Sequence, residues 1–208
     1  MQTASQVLEL SPVIPVVALE DADHAVPLGR ALARGGLRTI EITLRTPAGL
    51  PSIERLAAEV PEITAGAGTI TGPGQAEQAA KAGARYLVTP GSTEQLLAEI
   101  TDTGLPYLAG ASTVSEAMRL AELGATALKF FPAEASGGVD YLKALRGPLP
   151  ELRFCPTGGI TPDSAPNYLA LPNVDCVGGS WFSPADLLAD GAWEQIETRA
   201  AEAAALAR

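Results

Sequence analysis

The 208-residue chain carries 14 Lys plus Arg against 24 Asp plus Glu, a net charge of −10, and is 47% hydrophobic and 18% charged. That apolar fraction excludes a disordered chain, and the acidic balance argues against a broad surface for nucleic acid or an anionic membrane. With only two Cys and one His, neither a disulfide scaffold nor a His-rich zinc site can be built.

Residues 1–11 read as an N-terminal arm or helix. They lack the basic start and apolar stretch of a signal peptide, and no segment of the chain approaches the ~20 apolar residues of a membrane span. His24, in DADHAV, suits a surface or helix-capping position. Short apolar or β-branched runs then recur: VIPVVAL (13–19), TIEITL (39–44), EITAGAGTI (62–70), ARYLVTP (84–90), PYLAGAS (106–112), ALKFFPA (127–133), RFCPTGG (153–159) and VDCVGGS (174–180). Their starts lie 26, 23, 22, 22, 21, 26 and 21 residues apart. Between them run Ala/Leu/Glu-rich stretches with helical period, such as TVSEAMRLAELG.

The punctuation fits this alternation. Thr113 with Glu116 and Ser183 with Asp186 are capping-box signatures; Pro162 and Pro184 are placed as first-turn prolines; Gly83, Gly104 and Gly124 fall where helices should stop. Residues 185–208 read as one long terminal helix. Eight strand–helix units predict a single α/β domain over residues 1–208, a compact (β/α)8 TIM barrel. An open doubly wound sheet is the alternative, and the near-equal units without a Gly-rich dinucleotide turn favour closure.

Several chemistries lack their motifs. There is no G-x-G-x-x-G, no Walker A lysine and no G-x-S-x-G elbow. No cofactor and no metal are called for. Cys155 and Cys176 read as small core residues, at home in a reducing cytoplasm.

The chain has three lysines. Lys81 and Lys143 fall on helices, Lys81 in a last turn where a cation suits the dipole. Lys129 lies mid-strand in ALKFFPA. Strand parity puts Leu128 and Phe130 toward the helices and Lys129 inside the barrel. A lone buried ammonium is costly, which leaves two readings: a structural ion pair, or a Schiff-base amine, since burial favours the neutral, nucleophilic form of a lysine. In TIEITLRT the same parity turns Glu41 and Arg45 inward or to the mouth. Strands two and six feed the same set of interior layers, so Glu41 can meet Lys129. Arg45, at the C-terminal end of its strand, presents a fork suited to a carboxylate, with the Thr69 hydroxyl nearby. Gly66 and Gly68 are expected to let a substrate approach the backbone. Strands seven and eight end in Thr157-Gly158-Gly159 and Gly178-Gly179-Ser180, where such barrels often hold phosphate.

Taken in order, EITLRT, GAGTI, TPG, ASTVSE, KFFPAE, CPTGGI and GGSW resemble the 2-keto-3-deoxy-6-phosphogluconate (KDPG) aldolase family, which includes 4-hydroxy-2-oxoglutarate (KHG) aldolases. The resemblance runs from about Pro12 to the terminal helix. It implies a metal-free class I aldolase, with Lys129 as the Schiff-base lysine and Glu41 as proton shuttle. It implies Arg45 and Thr69 on the keto-acid carboxylate, Pro90 lining that pocket, and Gly158, Gly159 and Ser180 around the phosphate; Thr157 and Gly179, at the same strand ends, are expected to join them. It further implies a phosphorylated 2-keto-3-deoxy sugar acid and pyruvate as small-molecule partners, a cytoplasmic homotrimer, and a place in the Entner–Doudoroff route. The family's SPG and PG-x-ST become TPG and AGAST here, the second change falling at Ala109. KHG aldolase, 2-keto-3-deoxy-6-phosphogalactonate aldolase, and a non-covalent phosphosugar epimerase or synthase barrel are the alternatives.

Overall fold

The computed structural model describes residues 3–206; residues 1–2 and 207–208, the outermost parts of the predicted N-terminal arm and terminal helix, lie outside them. A short helix α1 (Ala4–Leu8) is followed by eight strands: β1 (Val13–Val17), β2 (Thr39–Thr43), β3 (Thr64–Gly68), β4 (Tyr86–Val88), β5 (Tyr107–Ala111), β6 (Ala127–Phe130), β7 (Arg153–Pro156) and β8 (Val177–Gly179). The helices between them are α2 (Ala25–Arg34), α3 (Gly49–Glu59), α4 (Gln75–Lys81), α5 (Glu94–Asp102), α6 (Val114–Glu122), α7 (Gly138–Leu145) and α8 (Ala165–Leu169), and α9 (Ala185–Ala189) and α10 (Trp193–Ala204) end the fold.

All ladders are parallel, in the order β7-β6-β5-β4-β3-β2-β1-β8. Two isolated parallel bridges, Phe154 to Val174 and Thr157 to Gly178, close the seam between β7 and β8. The predicted barrel therefore forms, and the open sheet does not. Alternation within each strand sorts the apolar residues into two cores. Outward residues such as Ile40, Ile42, Leu128 and Phe130 pack with the helices. Inward Ile14, Tyr86, Val88, Leu108, Ala127, Cys155 and Cys176 fill the lower barrel together with Val7 and Leu8. Helix α1 thus plugs the N-terminal mouth. It begins at Thr3, whose hydroxyl accepts from the Gln6 amide while Gln6 Oε1 accepts from the Thr3 amide at 2.8 Å. Both cysteines are buried, as small core residues.

The predicted Thr113–Glu116 capping box is formed. Gly124 takes φ +88 and closes α6, its amide bonding to Ala121 and that of Ala125 to Leu120. Three expectations are corrected. The C-terminal stretch is two helices, because the amides of Gly191 and Ala192 return to Leu188 and Leu187 and Gly191 turns left-handed (φ +61), which ends α9. Ser183 makes no cap with Asp186, since Pro184 is the N-cap of α9. Pro162 precedes a turn, fastened by Thr161 and Ser164, and the first-turn proline of α8 is Pro166. His24 lies at the N-cap of α2 without a side-chain capping bond; its ring stands edge-on to Trp193, with centroids 5.5 Å apart.

Candidate active site

Lys129 enters the barrel from β6, in register with Gly110 on one side and Cys155 on the other. Glu41 enters from β2, between Val16 and Gly66. They are 88 residues apart in sequence, yet Lys129 Nζ donates to Glu41 Oε1 at 3.1 Å and Oε2 at 3.3 Å. Both are almost fully buried, 4% and 3% exposed. The expectation that even-numbered strands bring these groups together is met.

The glycines of β3 do something other than expected. A Cβ on Gly68 would overlap the Glu41 carboxylate, and one on Gly66 would overlap the Tyr86 ring. Their missing side chains make room for protein groups, not for a substrate. Tyr86 lies fully buried beneath the pair, its hydroxyl 2.9 Å from Thr39 Oγ1. Burial pushes its phenol well above the usual tyrosine range, so it stays neutral. It belongs to the apolar cluster that contains Val7 and Leu8.

Above the pair lies the C-terminal mouth. Arg45, exposed just past β2, donates from Nε to Thr69 Oγ1 at 3.1 Å. Thr69 has φ +58, the one left-handed non-glycine among the described residues. A β-branched residue is a steric outlier there, costing about 1–3 kcal/mol, and such strain is typical of binding sites. Pro90 is positioned by Gly110, where a Cβ would collide with the Pro90 backbone. Thr89, in the TPG segment, accepts the Gly110 amide at 3.0 Å, whereas Ala109 is buried among outward residues and leaves the site untouched.

The far side of the mouth is built by the ends of β7 and β8. Gly158 and Gly159 take φ +103 and +81. Thr157 is buried with its side chain over Gly178, and the Trp181 ring folds back onto Gly179. Gly159 and Ser180 are exposed and make no hydrogen bond within the described residues, so their donors face solvent. Phe131, not singled out by the sequence reading, bridges the two halves. Its ring centroid is 5.5 Å from Lys129 Nζ, and a Cβ on Gly158 would lie 3.2 Å from the ring. Its only signal in the sequence is its place two residues after Lys129, on the same inward parity. A cavity of about 540 Å³ lined by Arg30, Arg34, Arg38 and Glu62 lies at the opposite end, by the start of β2, and contains none of these groups.

A buried amine hydrogen-bonded to a carboxylate, below an arginine-bearing barrel mouth, is the equipment of a Schiff-base enzyme. The family model for KDPG and KHG aldolase matches residues 4–199. The KHG/KDPG aldolase of Escherichia coli K12 is 46% identical over 201 residues, 97% of this chain and 94% of that protein. The crystal structure of KDPG aldolase from Legionella pneumophila, with pyruvate captured as a covalent carbinolamine, superposes with a TM-score of 0.95 at 40% identity, covering 98% of this chain and 99% of that one. The KDPG aldolase of Zymomonas mobilis ZM4, with 3-phosphoglycerate, superposes with a TM-score of 0.92 at 41% identity, covering 99% and 96%. The chain belongs to the KDPG and KHG aldolase family.

Proposed function

We propose that this protein cleaves KDPG to pyruvate and glyceraldehyde 3-phosphate through a Schiff base on Lys129. The observation that carries the reading is the buried Lys129–Glu41 hydrogen bond at 3.1 Å, and the carbinolamine in the Legionella relative supports it. The proton that Lys129 must shed has an acceptor at hand in Glu41. The free amine attacks the C2 ketone, and Glu41 returns the proton as water leaves the carbinolamine. Glu41 then takes the C4 hydroxyl proton, directly or through one water. The C3–C4 bond breaks, its electrons pass into the protonated imine, and glyceraldehyde 3-phosphate departs. Protonation of the enamine at C3 and addition of water release pyruvate and restore Lys129.

Arg45 and Thr69 hold the substrate carboxylate, with Pro90 as a wall. Thr157, Gly158, Gly159, Gly179 and Ser180 form the phosphate end, where backbone amides supply donors without adding charge. The phosphoglycerate bound in the Zymomonas relative supports a phosphorylated substrate. KHG is the second reading, favoured by the double name of the Escherichia coli relative. A cytoplasmic homotrimer serving the Entner–Doudoroff route completes the proposal.

The deciding experiment is kcat/KM on KDPG and KHG for the wild type and for Gly159→Val. At φ +81, with Glu134 Cγ 2.7 Å from where a Cβ would stand, valine disrupts this turn. KDPG cleavage is expected to fall steeply and KHG cleavage far less. Ser180→Ala is expected to cost about 1.5–3 kcal/mol on KDPG alone, one hydrogen bond to a charged group. Equal losses on both substrates would mean that the turn shapes the barrel and does not bind phosphate. Activity is also expected to survive EDTA treatment unchanged; a loss restored by a divalent ion would overturn the Schiff-base route.

A further inference from the structure

The turn between β6 and α7 leans on the turn after β7. The Ala133 amide donates to Thr157 O at 2.8 Å and the Glu134 amide to Gly158 O at 3.1 Å. The Glu134 side chain runs along Gly159, whose added Cβ would stand 2.7 and 2.8 Å from Glu134 Cγ and Cβ. Glu134 thus sets a carboxylate beside the turn, and it has no cationic partner among the described residues. A free carboxylate there would repel a phosphate dianion.

One group holds it. The Tyr168 hydroxyl donates to Glu134 Oε1 at 2.7 Å. Tyr168 comes from α8, is 1% exposed, and reaches past Gly138, where a Cβ would lie 3.0 Å from the hydroxyl oxygen. Burial and then the bond to Glu134 push the phenol far up, so it remains a donor throughout the working pH range. A neutral donor fixes the carboxylate without importing a second charge.

We propose that Tyr168 is a positioning residue for phosphate selectivity: it tethers Glu134, which braces the Gly158–Gly159 turn, and keeps the Glu134 carboxylate out of the phosphate's place. The inference rests on the reading of this turn as the phosphate site. Loss of the tether acts on the phosphorylated substrate and spares the chemistry at Lys129, whose amine is held by Glu41 on the other side of the barrel.

The test compares Tyr168→Phe, Glu134→Gln and the double variant on KDPG and KHG, with borohydride trapping of pyruvate as a phosphate-free control. Tyr168→Phe is expected to raise KM for KDPG about 5- to 30-fold, the loss of one hydrogen bond to a charged group with partial compensation by water. Its kcat, its KHG kinetics and its pyruvate trapping stay near wild type. Glu134→Gln keeps an acceptor for Tyr168 and loses the charge, so its KM for KDPG stays at or below wild type. Adding it to Tyr168→Phe restores most of the loss. Equal damage to KDPG, KHG and trapping would make the pair merely structural and overturn the proposal. So would an unchanged KM in Tyr168→Phe while Gly159→Val remains selective, an outcome that leaves the phosphate turn standing. If Gly159→Val itself fails to discriminate, the reading of the turn falls first.

Discussion

Borohydride added with pyruvate is expected to inactivate the protein and leave one reduced pyruvyl group per chain, on Lys129. Only an imine is reduced to a stable secondary amine under these conditions, and an imine needs a free amine next to a bound keto acid. Lys129 is placed for both: it is 4% exposed, Glu41 stands within hydrogen-bond reach to take its proton, and Arg45 and Thr69 lie above it at the mouth. Lys81 lies on a surface helix, paired at i,i+4 with Glu77, and Lys143 is exposed on α7; neither faces the barrel interior. Peptide mapping of the trapped protein reads the site directly. Lys129→Ala should lose all trapping and about 10⁴-fold or more in kcat, as removal of a covalent nucleophile does. Labelling at another lysine, or a trapped enzyme that still turns over, would refute the assignment.

Glu41→Gln is expected to lower kcat by about 10²–10⁴, the usual share of general acid–base catalysis. The amide keeps the shape that Gly68 accommodates and still accepts a hydrogen bond from Lys129, but it can no longer carry a proton between steps. Pyruvate binding, which we propose Arg45 and Thr69 provide, should change little, so KM for KDPG is expected to move much less than kcat. Trapping by borohydride should slow in parallel, because dehydration of the carbinolamine needs the same proton. A variant with near-normal kcat would move the proton work to another group. The buried pair also bears on stability. Removing one partner strands the other out of water at a cost of about 3–5 kcal/mol, so circular dichroism must establish folding before either variant's kinetics are read.

The sequence carried the inward direction of both groups because strand parity is local. Leu128, Lys129 and Phe130, or Ile40, Glu41 and Ile42, declare which side faces the helices without reference to the rest of the chain. Helix punctuation is equally local where a single motif satisfies the free amides, as in the Thr113–Glu116 box. It misled at Ser183, where the following proline took the cap position, and at Gly191, a lone glycine inside an apparently continuous helical stretch.

What the sequence by itself determined is therefore the eight-unit alternation, the barrel it implies, and the two interior charges, along with the resemblance carried by the motifs around them. The 3.1 Å contact between residues 88 positions apart exists only after closure sets strand register. Closure also decided that Gly66 and Gly68 yield their space to Tyr86 and Glu41, that Thr69 is held left-handed beside Arg45, and that Tyr168 meets Glu134 across two turns. The physical reason is the range of the constraint. Backbone geometry turns a side chain to one face within a few residues, whereas which side chains share a volume depends on strands that meet only when the sheet curls shut.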